Sequence, residues 1–395
     1  AAWASGDPAP VQKEKNGVVL WARVPARGFV TLRRNKNAPD ATRTALNAKQ
    51  TELAGSLTLE NAQVRYLFDA NLRLLSAFDK ETGVDLVPRE KPGNALELFD
   101  DHPQNWDAWD IDEYYSRMRM DVAHAQSIER ISGTVRTGLC ATLRIGQSTL
   151  VQTIWLGREG KRLDFVTQAD WHESHKLLRV AFPTTLVARE ASFEIQYGHV
   201  RRATHDNTKM EYAQFEVVGH RWADLSQRNA GVALLNDSKY GYRVKEGTLE
   251  LSLLRASTEP DPVADRGEHQ FTYSFLPHAG DLVDSDVNAH AAIINQGVLI
   301  LEGVSAMPET ALPVSVTGHG IELAVLKRAE KESCLVVRLV ETRGVHTTGE
   351  LTCADSTAKI VSTDLMEWKD ETSASTGRVA ISFTPFEIKT FKIRS

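Results

Sequence analysis

Residues 98–112, LFDDHPQNWDAWDID, alternate two indoles, Trp106 and Trp109, with the carboxylates of Asp107, Asp110 and Asp112, just after Pro103 interrupts regular structure. Indole faces stack on the C–H faces of sugars, and carboxylates accept hydrogen bonds from hydroxyls, so these residue types suit carbohydrate chemistry. A catalytic pair is a stricter demand. Two carboxylates acting on one glycosidic bond stand about 5 Å or more apart across it. Asp107 and Asp110 are three residues apart, which on a strand puts them on opposite faces, so they do not read as acid and nucleophile. Two readings stay open on residue type alone. The run either contacts a sugar beside an active site, or packs its indoles at the end of a β-sandwich while the aspartates cap turns.

A second candidate is Arg266 in residues 257–269, STEPDPVADRGEH. Pro260 and Pro262 stiffen this loop, and Asp261, Asp265 and Glu268 crowd one guanidinium, which is able to hold two acceptors at once. Here too a sugar clamp and an internal salt-bridge network are both open. Histidines give weaker signals. His172 and His175 have a His-x-x-His spacing, but the alternation before them predicts a strand that splits them between faces, with no third ligand nearby. His199 and His205 read as loop or sheet-edge residues; His220, His269 and His278 read as structural. Arg201, Arg202 and Asp206 are expected to form a structural ion-pair cluster. There is no nucleophile elbow, phosphate loop or dinucleotide fingerprint.

The elements that must position these residues are strands. In residues 162–171, Leu163, Phe165, Thr167, Ala169 and Trp171 share one face, with Asp164, Gln168 and Asp170 on the other. Leu249, Leu251 and Leu253 alternate in the same way, as do Phe271, Tyr273 and Phe275, and Val379, Ile381 and Phe383. Turn residues such as Glu246-Gly247 and Pro277 bound these half-buried antiparallel strands. Only 221–228 and 364–369 leave room for a helical turn or two. The chain is therefore predicted to be all-β.

Composition narrows the classes further. The 395 residues call for two or three domains. Hydrophobic residues make up 42% and charged residues 25%, as in globular proteins, and no apolar run reaches the ~20 residues that cross a bilayer. A net charge of −6, without a basic block, argues against nucleic acid. Cys140, Cys334 and Cys353 match neither a disulfide framework nor a metal motif; Cys140, in GLCATLRI, reads as a small buried thiol. A reducing, cytoplasmic compartment fits best, and Asn236-Asp237-Ser238 reads as a chance sequon.

Four motifs in order carry a resemblance: LFDDHPQNWDAWDID, EIQYGHVRRATH (194–205), LSLLRASTEPDPVADRGEHQFTYSFLPH (251–278) and FTPFEIKTFKI (383–393). Together, from about Leu57 onward, they resemble the C-terminal half of glycoside hydrolase family 38, the α-mannosidases. The resemblance implies a large antiparallel β-sandwich, a galactose-mutarotase-like supersandwich, at 51–290. It implies a small β-sandwich at 291–395 and, at 1–50, the end of a small β domain plus linker. It implies a retaining α-mannosidase that removes terminal mannose from oligosaccharides, with the zinc, the nucleophile and the acid/base in a catalytic half expected to precede Ala1. Accordingly no catalytic residue, metal ligand or cofactor is assigned in this chain, and the chain by itself is expected to be inactive. Its partners would be that catalytic domain and a mannose-containing oligosaccharide, with neither membrane nor nucleic acid, and with room for a homo-oligomer. Asp107, Trp109, Asp110 and Arg266 are the expected sugar contacts or supports. Glu341, in RLVETRG, and the FTPFEIKTF ending are expected to serve folding and domain docking. Two other classes stay in play: a lectin-like module, favoured by exposed indoles, and a scaffold without sugar contact, favoured by buried ones. A large bare apolar surface would favour a missing partner.

Overall fold

A computed structural model describes residues 2–3, 9–14, 17–24, 30–33, 57–303 and 312–394. The fold is all-β, as the alternating runs predict. One nine-stranded antiparallel sheet has Ser148–Gly157, Leu163–Trp171, Gly267–Ala279 and Ala230–Asn236 side by side at its middle. A six-stranded sheet, centred on Ala95–Asp100, Lys176–Pro183 and Thr248–Arg255, shares its core. Leu163, Phe165, Thr167, Ala169 and Trp171 are all buried. Phe165 stacks on Tyr273 at 5.0 Å and meets Phe182 of the other sheet edge-on at 5.5 Å. Each such ring is worth about 1.5–3 kcal/mol by burial, so alternation at a handful of positions locks both the facing surfaces and the register.

The small sandwich joins a three-stranded sheet (Val314–Thr317, Thr347–Cys353, Arg378–Phe383) to a five-stranded one led by Ile321–Arg328, Leu335–Glu341 and Ile388–Arg394. Its own core contains Val337, Leu339, Leu351, Ile360 and Phe383. At the N-terminus, Val11–Glu14 pairs with Gly17–Leu20. Side chains tie this hairpin to the large sandwich: buried Gln12 accepts from the N–H groups of Val135 and Arg136, and Arg136 forks onto Glu14. Ala2–Trp3 pairs with Leu32–Arg33, and the polar stretch 35–50 lies outside the described residues.

Several expectations change. Residues 221–228 contain the strand Trp222–Gln227, because Trp222, Ala223 and Leu225 have more to gain from burial in the sheet than a short polar helix offers. Residues 364–369 form a turn. The segment after Asp286 is a helix, Val287–Gln296, whose Val287, Ala291 and Ile294 recur at helical spacing and pack on Trp222, Leu235 and Leu276. Strand Gly267–Ala279 runs through Pro277 rather than stopping there, since its neighbour Leu163–Trp171 already ends opposite Phe275 and requires no N–H beyond it. Cys140 is half-buried, on the strand face opposite Leu139 and Ala141. Asn236 is buried and its amide donates to the His220 carbonyl, so the sequon's asparagine side chain is sealed inside the fold. Asp206 pairs with Lys245 at 2.6 Å, while Arg202 lies over the Phe193 ring, so 201–206 is not one ion-pair cluster. No helix among the described residues is long and apolar enough to cross a membrane.

The two sandwiches meet at a seam organised by one carboxylate. Glu341, fully buried, accepts from the backbone N–H groups of Arg343, Gly344, Val345 and Phe386 at 2.8–3.2 Å. That holds Phe386 in the left-handed region (φ 59°), with its ring edge-on to His199 of the large sandwich at 5.1 Å. The ring also lies so close to Gly344 that a Cβ there would fall 2.6 Å from it. Glu341→Ala leaves four backbone donors without their acceptor, on a carboxylate site that is itself fully buried. It is expected to destabilise the chain by about 3 kcal/mol or more, measured as a lower denaturation midpoint with an unchanged m-value.

Candidate functional site

Strands of both sheets of the large sandwich end at the same place. Ala95–Asp100 and Thr248–Arg255 finish there beside the start of Lys176–Pro183, and Leu163–Trp171 finishes beside the start of Gly267–Ala279. Their connections, 101–112, 172–175 and 256–266, therefore emerge together. Nothing in a sheet ladder holds such segments, so side chains do it.

The tryptophan loop turns tightly: Trp109 and Asp110 donate their N–H groups to the Trp106 carbonyl at 2.7 and 2.8 Å, with Trp106 in the left-handed region (φ 58°). Asp107 then latches this loop to the next. Its Oδ2 accepts from the N–H groups of Thr258 (2.6 Å) and Glu259 (3.1 Å) and from the Thr258 hydroxyl. Its Oδ1 lies 3.4 Å from Nδ1 of His175, whose Nε2 meets the Thr258 hydroxyl at 2.9 Å. His175, itself at φ 51°, stacks on His102 at 4.4 Å. Burial pushes the Asp107 carboxyl up, but the Thr258 and Glu259 N–H groups and His175 outweigh it and hold the carboxyl below the usual carboxylate range.

The latch leaves the indoles in the open: Trp106 is 71% and Trp109 72% exposed. Asp110 is also exposed, and among the described residues its carboxylate accepts only from the adjoining Ile111 N–H. Arg266 is exposed on the neighbouring loop. Its Nε donates to the Glu173 carbonyl at 3.3 Å, and it makes no ion pair among the described residues. The salt-bridge network, one of the two readings open for Arg266, does not form among the described residues. Arg255 takes that part: its Nε meets Asp101 at 2.5 Å, its Nη2 donates to the Asp110 carbonyl, and its N–H is accepted by Asp265. Behind the loop, buried Arg179 bonds Tyr115 and Glu216, which fixes the 3₁₀ turn Glu113–Arg117. His172 and His175 lie in a turn, because the strand stops at Trp171, and they take different partners, Asp170 and Asp107.

Of the four residues singled out, the structure brings Asp107, Trp109 and Asp110 together on one loop. Through Asp107 it joins them to the loop that carries Arg266. Asp107 faces inward as a brace; the other three face solvent. Sequence reasoning missed Arg255, Asp101 and Thr258, and weighed His175 only as a metal ligand. The one available signal was Arg255, a cation ending an apolar strand. No group of three or more His, Cys, Asp or Glu among the described residues is arranged to hold a metal ion.

With this geometry in view, comparison identifies the class. The glycosyl hydrolases family 38 C-terminal domain matches residues 59–263, and the glycosyl hydrolases family 38 C-terminal beta sandwich domain matches 320–391. The chain belongs to glycosyl hydrolase family 38, as part of its C-terminal region. It is 37% identical over 347 residues to alpha-mannosidase 2C1 of Homo sapiens, covering 85% of this chain and 33% of that protein. It is 32% identical over 409 residues to alpha-mannosidase G of Dictyostelium discoideum, covering 98% and 37%. The chain thus spans about a third of the length of these relatives. An alpha-mannosidase from Enterococcus faecalis shares the fold, with TM-score 0.66 at 17% identity over 85% of this chain and 42% of that one.

The latch makes a pH-dependent prediction. Because the folded-state pKa of Asp107 is lowered, its contribution is full above the ordinary carboxylate value, about 4, and is lost as pH falls through the folded value. Asp107→Asn is expected to loosen the loops at neutral pH by about 1–3 kcal/mol. The check is hydrogen exchange at the Thr258 and Glu259 amides, which should speed up in the variant, and in the wild type on acidification.

Proposed function

We propose that this chain is the β-rich C-terminal part of a retaining α-mannosidase that removes terminal α-linked mannose from oligosaccharides in the cytoplasm. Its latched loops face the sugar bound by the upstream catalytic part. The observation that carries this reading is the pairing of two bare indoles with a carboxylate and an arginine, Asp110 and Arg266, that have no charged partner among the described residues. Indole faces stack on the sugar's C–H faces, Arg266 donates to vicinal hydroxyls, and Asp110 accepts from them. Asp107 touches no sugar in this reading; it holds the loop in register.

In this reading the zinc, the nucleophile and the acid/base belong to the upstream part, as the family resemblance implies. The family's zinc supplies Lewis-acid contacts to the sugar's hydroxyls when bound. A missing partner also accounts for the apolar run Val298, Leu299, Ile300 and Leu301, which is 56–83% exposed. The lectin-like alternative draws on the same exposed indoles.

Hydrolysis of a chromogenic α-mannoside with zinc present separates the two. The full-length protein and this chain mixed with the upstream half are expected to be active, and this chain alone inactive. In the full-length protein Trp109→Ala, Asp110→Asn and Arg266→Ala should each lower kcat/KM roughly 10- to 100-fold with an unchanged melting temperature, because all three side chains are exposed. Activity of the chain alone overturns the split-site reading. No activity in any form, together with mannose binding by this chain, leaves the lectin-like one.

A further inference from the structure

The nine-stranded sheet also borders a cleft of about 700 Å3 between the two sandwiches. The chemistry of this cleft is selective. Its charged and most of its amide groups are already engaged. Glu194 takes the N–H and Nε of Arg221 at 2.7 Å, and Asp237 accepts from the Thr272 N–H and the Ser238 hydroxyl. Asn288 accepts from the Trp222 indole, and Asn295 donates to the carbonyls of Asn236 and Ala291.

The side chains of Gln196, Tyr197, His220, Tyr240 and Gln296 line the cleft without a hydrogen bond or ion pair among the described residues. All are groups able to donate or accept without a fixed charge. Two are aromatic faces held in the open, Tyr197 at 50% and Tyr240 at 59% exposure, with His220 edge-on to Tyr240 at 5.6 Å. Tyr197 occupies a left-handed position (φ 57°) in the two-residue turn after Glu190–Ile195, where a small residue would sit with less strain. Leu323, Leu326 and Val340 of the small sandwich add apolar lining. Neutral hydrogen-bonding groups, aromatic faces and an apolar wall match a polyhydroxylated, uncharged ligand better than an anion, a cation or an apolar peptide.

Position links the cleft to the tryptophan loop. In the nine-stranded sheet, Gly267–Ala279 is followed in order by Ala230–Asn236, Trp222–Gln227 and Glu190–Ile195. The loop with Arg266 leads into the first of these strands. Tyr240 follows the second, His220 precedes the third, and Tyr197 ends the fourth. All leave the sheet in the same direction but not at one level: Asn236 pairs with Tyr273, six residues past Gly267, so Arg266 and Tyr197 are three strand spacings apart across the sheet, roughly 15 Å, and about 20 Å apart along it. Between the two regions, Lys239 lies over the ring of Phe271 at 4.7 Å.

We propose that the cleft between the sandwiches is an accessory saccharide site. It holds the non-reacting arm of an extended α-manno-oligosaccharide whose terminal residue sits at the tryptophan loop. This rests on the mannosidase reading above. It assigns Tyr197 and Tyr240 to recognition of substrate length, away from the reacting bond.

The test uses the full-length protein and two variants, Tyr240→Ala and Tyr197→Asn, the latter keeping a residue that tolerates the left-handed turn. Each is expected to raise KM for a long α-manno-oligosaccharide roughly tenfold while kcat, and both constants for a small chromogenic mannoside, stay as in the wild type. Unchanged KM for the long substrate overturns the proposal, and so does an equal loss on both substrates, which would mark a general structural effect. If the small mannoside is not hydrolysed at all, the mannosidase reading fails instead. Direct titration of the long oligosaccharide into wild type and Tyr240→Ala then decides the cleft: weaker binding by the variant sustains it, and equal binding removes it.

Discussion

The carboxylate of Asp107 is the constraint on which the exposed surface depends. Trp106 and Trp109 are large apolar rings, and an unrestrained loop would fold them onto the nearest apolar surface to take them out of water. Asp107 prevents this by accepting two backbone N–H groups and a hydroxyl from the 258–259 segment, so the loop has one arrangement rather than many. Bonds to a charged acceptor are about twice as strong as neutral ones, and here they are largely shielded from solvent. Ordering both segments before any ligand arrives removes that entropy cost from binding.

The latch works because the segments it joins are themselves anchored. Arg255 ends one strand and reaches Asp101 at the end of another, so strand ends rather than loop interiors set the spacing. On the far side Arg179, buried in the six-stranded sheet, bonds Tyr115 and Glu216, and the edge-on contact of Phe99 with Tyr115 at 5.7 Å seals it. A buried guanidinium is tolerated because Glu216 and Glu250 stand against it. The loop is thus held on one side by a carboxylate on backbone and on the other by a cation on carboxylates.

Period-two alternation made the strands legible, since burial of Leu163, Phe165, Ala169 and Trp171 follows directly from the pleat. The motif also placed Asp107, Trp109 and Asp110 on one loop. What alternation did not reveal was which carboxylate would meet which cation. The loop around Arg266 holds three acidic residues, yet Asp265 turns to the Arg255 backbone, Asp261 to Val263, and Arg266 to a carbonyl. Chain direction at the strand end decides this, and composition does not encode it. The helix Val287–Gln296 escaped for a related reason. Its apolar stripe is only three small or medium side chains wide, enough to pack on Trp222 but weak against the polar residues between them.

The seam gives the two sandwiches a common geometry. Glu341 gathers four N–H groups from two separate segments of the small sandwich, and the Phe386 it positions presses against Gly198 and His199 of the large one. Gly198 directly follows Tyr197, so the contact that fixes the seam also fixes the turn at the cleft's edge. Arg343 adds a second tie, to the Val283 carbonyl and Asp284, just ahead of the helix that supplies Asn288, Asn295 and Gln296 to the cleft. Neither tie is made by a side chain that lines the cleft, so the cleft's width is set by the way the sandwiches are joined rather than by the residues that line it. A surface built this way keeps its shape when its lining side chains change.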